Sequence, residues 1–310
     1  MPRYTLKRLA QGALTIWFIA TATFIAMHSV PGDPLLNDKA VNEQIRANLE
    51  REYGLDKPII EQYVIYMWNL VRGEFGISFT QQNRSVNDII REHFPISAIL
   101  GVLAVFWAAL GGILFGALTA LFRNRMPDII IMFLVILGIS VPSFVFAALA
   151  QIGIVALNDL VGTTLLPVAG WGGFRHMLAP SLVLGLGTMA FLTRLMRSSM
   201  LEVANTDYIR TARAKGLTDK RIFFRHQLRN SIIPVITVLG PAIAAITTGG
   251  FVVETVFSIP GLGRYFVQAV QQLDYTVIMG TTIFYGAFLV IMVIAVDLLY
   301  GLVNPRVRLE

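Results

Sequence analysis

An all-α membrane protein with six transmembrane helices is the fold class this sequence predicts, on three observations. Hydrophobic residues make up 55% of the 310 positions and charged residues 14%, with a mean hydropathy of +0.66, which is not the balance of a soluble domain. Six apolar segments reach or approach the ~20 residues needed to cross ~30 Å of hydrocarbon. Lys and Arg are unevenly shared among the segments that connect them.

The first span, Leu9–Met27, follows Lys7 and Arg8. Ala20-Thr21-Ala22 resembles a signal cleavage site, but the apolar run continues to Met27, so the segment reads as an uncleaved signal anchor. The loop that follows carries structure of its own. Pro31-Gly32-Asp33-Pro34 breaks the first helix, and Asn42 to Tyr53 reads as a polar helix ended by Gly54. Pro58 to Arg72 places Ile60, Val64, Trp68 and Val71 on one helical face. Ser85-Val86-Asn87-Asp88 is a cap for a helix leading into the second span. A folded peripheral cap on the outer membrane surface is expected here.

The remaining spans are Ile96–Phe122, Ile129–Leu157, Leu178–Leu195, Ile232–Thr255 and Val277–Val303. Gly112 and Gly116 give the second a Gly-x-x-x-Gly pair suited to close helix contact. The third would be ~44 Å long if fully helical, so it must tilt or bend, and Pro142 offers the place. The fourth is diluted by Pro180, Gly185, Gly187 and Thr188, which suits a helix interface rather than a lipid-facing wall.

Orientation follows from the basic residues. With the N-terminus inside, sixteen Lys and Arg face the cytoplasm and nine face out. Seven of the nine lie in the long first loop, so the short loops contrast sixteen with two. Both termini are therefore expected in the cytoplasm.

Enzyme chemistry finds no support. The chain has no cysteine, and its four histidines, His28, His93, His176 and His226, are far apart. No His-Glu-x-x-His, Gly-x-Ser-x-Gly or P-loop spacing is present. No catalytic residue, metal site, bound cofactor or nucleic-acid partner is expected; the membrane lipid is the surrounding partner. Two acids fall within spans. Asp297 lies ~9 Å from the inner end of the last span, where a structural pairing is expected. Glu254 lies at the outer end of the fifth, shallow enough to reach water, and is the candidate pathway residue.

A charged island, Arg194 to Asn230, separates the fourth and fifth spans and holds nine of the 25 Lys and Arg. Asn205 or Thr206 can cap a short helix that Gly216 ends. Thr218 can cap a second, with Leu217 placed to staple onto Ile222. On the first helix Tyr208, Thr211, Ala212 and Lys215 share a face, Ala212 and Gly216 permit close approach, and Arg210 and Arg213 supply charge at the rim. A topology signal needs basic residues but no such pattern, so a docking surface for a cytoplasmic partner is expected.

The island also carries a resemblance. Asp207-Tyr208-Ile209-Arg210-Thr211-Ala212-Arg213-Ala214-Lys215-Gly216-Leu217, then His226, Leu228-Arg229-Asn230 and Ile233-Pro234-Val235, resemble the permease subunits of bacterial ATP-binding-cassette importers in the dipeptide and oligopeptide branch. Pro31 to Pro34, Tyr53-Gly54-Leu55, Gly73 to Phe79, Ser85 to Asp88, Val141 to Phe144 and Ile259 to Gly263 extend the likeness along nearly the whole chain. The general importer motif is Glu-Ala-Ala, three residues, Gly, nine residues, then Ile-x-Leu-Pro. Ala212, Gly216 and Leu228 keep it, whereas Arg210, Thr211, His226 and Arg229 depart from it in the manner of the peptide branch.

The resemblance implies a type I importer membrane domain. Residues 1–30 would form a peripheral transmembrane helix and 31–95 an extracytoplasmic loop with short helices. Residues 96–303 would form a five-helix core including coupling region 194–230, followed by a cytoplasmic tail, 304–310. Tyr208 and Arg210 to Leu217 would dock as a coupling helix on an ATPase subunit. It implies four partners: a similar second permease, two ATPases that use ATP and Mg, and an external binding protein. Peptide is the implied substrate. Nickel importers share much of the pattern and are the alternative within the family. A secondary transporter or channel is the alternative outside it, but no internal repeat supports that reading.

Overall fold

The computed structural model describes residues 2–29, 54–81, 84–248 and 250–303, and the side chains of those between 6 and 296. The expected break at Pro31–Pro34, the polar helix from Asn42 to Tyr53, the side chain of Asp297 and the tail lie outside the described residues. Among these residues the regular secondary structure is all helical, apart from one isolated bridge between Ile77 and Ser85.

Six helices are long and apolar enough to cross a membrane: Leu6–Ser29, Val86–Leu121, Ser143–Val161, Phe174–Ala204, Asp219–Thr248 and Tyr275–Val296. They correspond in order to the six apolar segments, with three differences. The second helix starts at Val86, not near Ile96, and runs 36 residues through Pro95. Ser85 fixes that start, since its Oγ accepts from the Asp88 N–H at 3.1 Å and donates to the Asp88 carboxylate at 2.6 Å. The third segment is two helices, Met126–Ser140 and Ser143–Val161, rather than one bent span. Val141 (φ −90°, ψ 128°) and Pro142 (φ −58°, ψ 143°) are extended, because a proline ring pushes the preceding residue out of the helical region. The fifth helix stops at Thr248, and Glu254 lies on a separate short helix, Phe251–Val256.

The chain divides into two compact units, one of Met1–Ser97 with Pro260–Glu310 and one of Ala98–Ile259. In the first, helix α1 (Pro2–Ser29) packs on the last helix (Tyr275–Val303). A Cβ at Gly12 would meet Val290 at 2.8 Å, and one at Gly286 would meet Ile19 at 2.9 Å, so each glycine admits the other helix. Helix α2 (Ile59–Val71) lies against α1. The loop after it is tied to the start of the last helix through Asp274. That carboxylate, 1% exposed, accepts from Ser78 Oγ, the N–H groups of Phe79, Thr80 and Val277, and the hydroxyls of Thr80 and Thr276. A buried carboxylate at a helix N-terminus is thereby satisfied without a cation.

In the second unit, helix α3 (Val86–Leu121) contributes its later turns, followed by α4 (Met126–Ser140), α5 (Ser143–Val161) and α6 (Phe174–Ala204). The Gly-x-x-x-Gly pair of α3 lies against α6. A Cβ on Gly112 would be 2.5 Å from that of Leu192, and one on Gly116 2.5 Å from that of Met196. Leu192, Met196, Met200 and Val235 form the buried core beside them.

Candidate docking surface and transport path

The island folds into a small hairpin in the second unit. Helix α7 spans Asp207–Ala214 and α8 spans Asp219–Ile222. Thr206 and Thr218 stand at the two cap positions in extended conformation, but neither hydroxyl caps its helix. The Thr206 hydroxyl donates back to the Val203 carbonyl at 2.6 Å instead.

The turn between the helices is fixed by Gly216, which has φ +77°. Its N–H donates to Arg213 O at 2.9 Å, and the Leu217 N–H donates to Ala212 O at 3.2 Å. This is the Schellman pattern, and it requires a left-handed residue that glycine adopts without strain. Leu217 then packs with Val203 on Ile209, Ala212 and Ile222. Leu217 and Ile222 thus meet as the sequence suggests.

The hairpin core sorts the expected docking residues. Ile209 is 0% exposed and Ala212 7% exposed, so Ala212 faces inward rather than toward a partner. Its small side chain lets the two helices close on each other. Tyr208, Arg210, Thr211, Arg213, Ala214, Lys215 and Gly216 are exposed, and Leu217 is half-buried. The charged ones form only loose pairs, Arg210 with Asp207 at 3.4 Å and Arg213 with Asp219 at 4.0 Å. Such exposed pairs hold side chains weakly, which leaves their charge available to a partner. Tyr208 is oriented by its hydroxyl, which accepts from Asn230 Nδ2 at 2.9 Å.

Two features of the island had no local sequence signal. Phe223–Leu228 is a π-helix that joins α8 to α9 (Arg229–Thr248). Its i→i+5 turns bring Phe223 and Leu228 to one side, where both pack on the Leu192 and Met196 core. Phe224, Arg225 and Arg229 remain exposed. Arg197, counted among the island's basic residues, does not join that surface. Its Nε and Nη2 donate to the two carboxylate oxygens of Asp128, each at 2.9 Å. Asp128, in the first turn of α4, also accepts from the Asn124 N–H at 2.9 Å. This clamp joins residues 69 apart in sequence, which no spacing rule could pair. Asp274 had a signal, an acid directly before a long apolar helix, which is the position of an N-cap.

Glu254 is placed differently from its expected shallow, wet site. On α10 (Phe251–Val256) it is 1% exposed. A Cβ on Gly250 would come 3.1 Å from its Oε1, so that glycine leaves room for the carboxylate. Glu254 N–H donates to Gly250 O at 2.8 Å, and Glu254 O accepts from the Ile259 N–H at 2.8 Å. Among the described residues no group of three or more His, Cys, Asp or Glu is arranged to hold a metal.

Residues 112–309 match the family described as binding-protein-dependent transport system inner membrane component, and residues 1–101 match the N-terminal part of such components. The chain belongs to this family. It is a multi-pass inner-membrane transport component, a permease subunit of the ATP-binding-cassette class. The permease is 45% identical over 310 residues to the dipeptide transport system permease protein DppB of Bacillus subtilis, covering 100% of this chain and 99% of that one. It is 38% identical to the oligopeptide transport system permease protein OppB of Haemophilus influenzae, covering 99% and 100%. A solved amino acid ABC transporter matches at TM-score 0.53 and 17% identity over 71% of this permease and 95% of that chain. The MetNI methionine ABC transporter matches at TM-score 0.52 and 16% identity over 70% and 96%. At that identity the structural likeness speaks for the fold alone, which is that of an ABC importer membrane subunit.

Proposed function

We propose that this permease forms, with a similar second permease, the path by which an ATP-driven importer takes up dipeptides and oligopeptides. The observation that carries the substrate class is the 45% identity, sustained over the full chain, to a permease named for dipeptides. Two ATPase subunits hydrolyse ATP with Mg, and an external binding protein delivers the peptide. The permease itself performs no covalent chemistry.

The island is the coupling element in this reading. Both termini and the island lie in the cytoplasm, as the basic residues favour. Helix α7 docks in a groove of one ATPase through Tyr208, Arg210, Thr211, Arg213, Ala214, Lys215 and Gly216, with Leu217 at its edge. Ala212 supports that face from behind. Closure of the ATPases pushes on a hairpin that has its own buried core and a fixed turn. The hairpin therefore moves as a body, and its displacement reaches α6 and α9, between which it is inserted in the chain. The organisation is a peripheral span (1–30), an extracytoplasmic loop (31–95), a five-helix core (96–303) and a tail (304–310). In this reading Glu254, which is 1% exposed, stands beside the peptide path.

The test is reconstitution. The assembled importer in vesicles, with ATP on the ATPase side and binding protein on the other, should take up a labelled dipeptide. Glu254→Gln should change uptake of charged peptides more than ATP hydrolysis. Uptake that proceeds without ATP, or an assembly that purifies without ATPase subunits, would contradict the reading.

A further inference from the structure

The underside of α2 is bound to a membrane span, and its opposite face is apolar and open. Tyr63 OH and Thr21 Oγ1 share a hydrogen bond of 2.8 Å, and Gln62 Oε1 lies 3.1 Å from His28 Nε2. The Tyr66 ring stacks on Phe24 with centroids 5.6 Å apart, and Tyr63 meets the same ring edge-on at 5.3 Å. On the other side Ile60 and Val71 are each 79% exposed, Val64 59% and Trp68 57%. At 100° per residue these four fall within about 80° of one another. The amphipathic pattern is therefore inverted: polar Gln62 and Asn69 are half-buried and the aliphatic stripe is exposed.

The seat of α2 on α1 says what that stripe meets. Thr21, Phe24 and His28 belong to the last turns of the span Leu6–Ser29. They continue a stripe that begins with Leu14 and Trp17, spaced three, four, three and four residues apart. Leu14 is 63% exposed and Trp17 49% exposed, as lipid-facing residues of a peripheral span should be. Helix α2 thus covers the end of a lipid-facing stripe and offers its own apolar face in exchange. Its charged groups stand at the two ends. Arg72 stacks over Trp68 at 4.8 Å, and Lys57 pairs with Glu61 at 3.0 Å. A Trp with basic residues beside an aliphatic face is the composition of a helix lying at the headgroup level.

We infer that α2 is an in-plane membrane anchor, with Ile60, Val64, Trp68 and Val71 immersed in the leaflet at the C-terminal end of α1. This goes beyond the transport reading and does not depend on the substrate. It would hold the loop that carries the Ser78–Asp274 contact at a fixed depth in the bilayer.

Native cysteine is absent, so single nitroxide labels can be placed at Val64, Val71 and, as a rim control, Glu61. The assembled importer is reconstituted in phosphatidylethanolamine and phosphatidylglycerol vesicles, and collision with oxygen is compared with collision with a nickel chelate. Labels at Val64 and Val71 should collide several-fold more with oxygen, and the label at Glu61 more with the chelate. A second measurement leaves the stripe unlabelled. With Trp17→Phe, Trp107→Phe and Trp171→Phe, lipids brominated near the headgroup should quench Trp68 more than lipids brominated near the chain end. Chelate-dominated collision at Val64 and Val71, shielding of both from both reagents by a protein partner, or no quenching of Trp68 would each overturn the anchor.

Discussion

The α7–α8 hairpin and helix α2 are both short elements outside the long spans, yet they are built in opposite senses. The hairpin hides Ile209, Ala212 and Ile222 and shows Arg210, Arg213 and Lys215. Helix α2 half-buries Gln62, Tyr66 and Asn69 and shows Ile60, Val64 and Val71. An element with its own apolar core can be displaced without losing its shape, which suits a part that transmits force. An element with no buried apolar residue of its own depends on what covers it, which suits a part that is anchored. The direction in which the apolar face points separates the proposed protein-docking surface from the proposed lipid-docking one.

The largest expected effect tests whether basic residues of the island fall into two kinds. Arg197→Ala would strand the buried Asp128 carboxylate and should destabilise the permease by about 3 kcal/mol, read as a lower melting temperature in detergent. Adding Asp128→Asn should recover most of that loss. Equal effects of Arg197→Ala and Arg210→Ala on melting would erase the distinction. Ile209→Ala removes the centre of the small hairpin core and should cost about 2 kcal/mol, the low end for such a truncation. Because that core is local, hydrogen exchange should accelerate in α7 and α8 while the last helix keeps its protection.

Gly216→Ala should cost about 1–2 kcal/mol of local stability, since an alanine must hold the left-handed conformation at φ +77°. Gly216→Asn should cost less, because asparagine tolerates that region. Uptake in the order Gly, Asn, Ala would tie function to the turn, whereas identical uptake would separate them. Arg210→Ala is the smallest in stability, within about 0.5 kcal/mol of the parent. It should nevertheless weaken ATPase association and reduce the salt sensitivity of that association.

Much of this was legible in the sequence. Apolar length located five of the six spans and the segment that holds the sixth, and Gly216 with Leu217 located the hairpin turn, because both signals are local. The break at Val141–Pro142 was readable as a bend and became a full interruption once the backbone of two residues turned extended. The inward direction of Ala212 was not readable, since a small residue suits either a tight internal contact or a tight external one. The Arg197–Asp128 clamp and the cage around Asp274 join distant parts of the chain, and only the fold brings their donors and acceptors together. The exposed stripe of α2 was visible as a helical face, but its outward direction required the contacts of Tyr63 and Tyr66 with α1.

The central claim is that the exposed face of α7 meets an ATPase while its buried face does not. A photoactivatable residue placed in turn at Ala214, Lys215 and Ala212 of the assembled importer measures this directly. Illumination should cross-link the ATPase from Ala214 and Lys215, and not from Ala212, in preparations with full subunit content. Cross-linking from Ala212 alone, or none from the two exposed positions, would contradict the assignment of this hairpin as the coupling element.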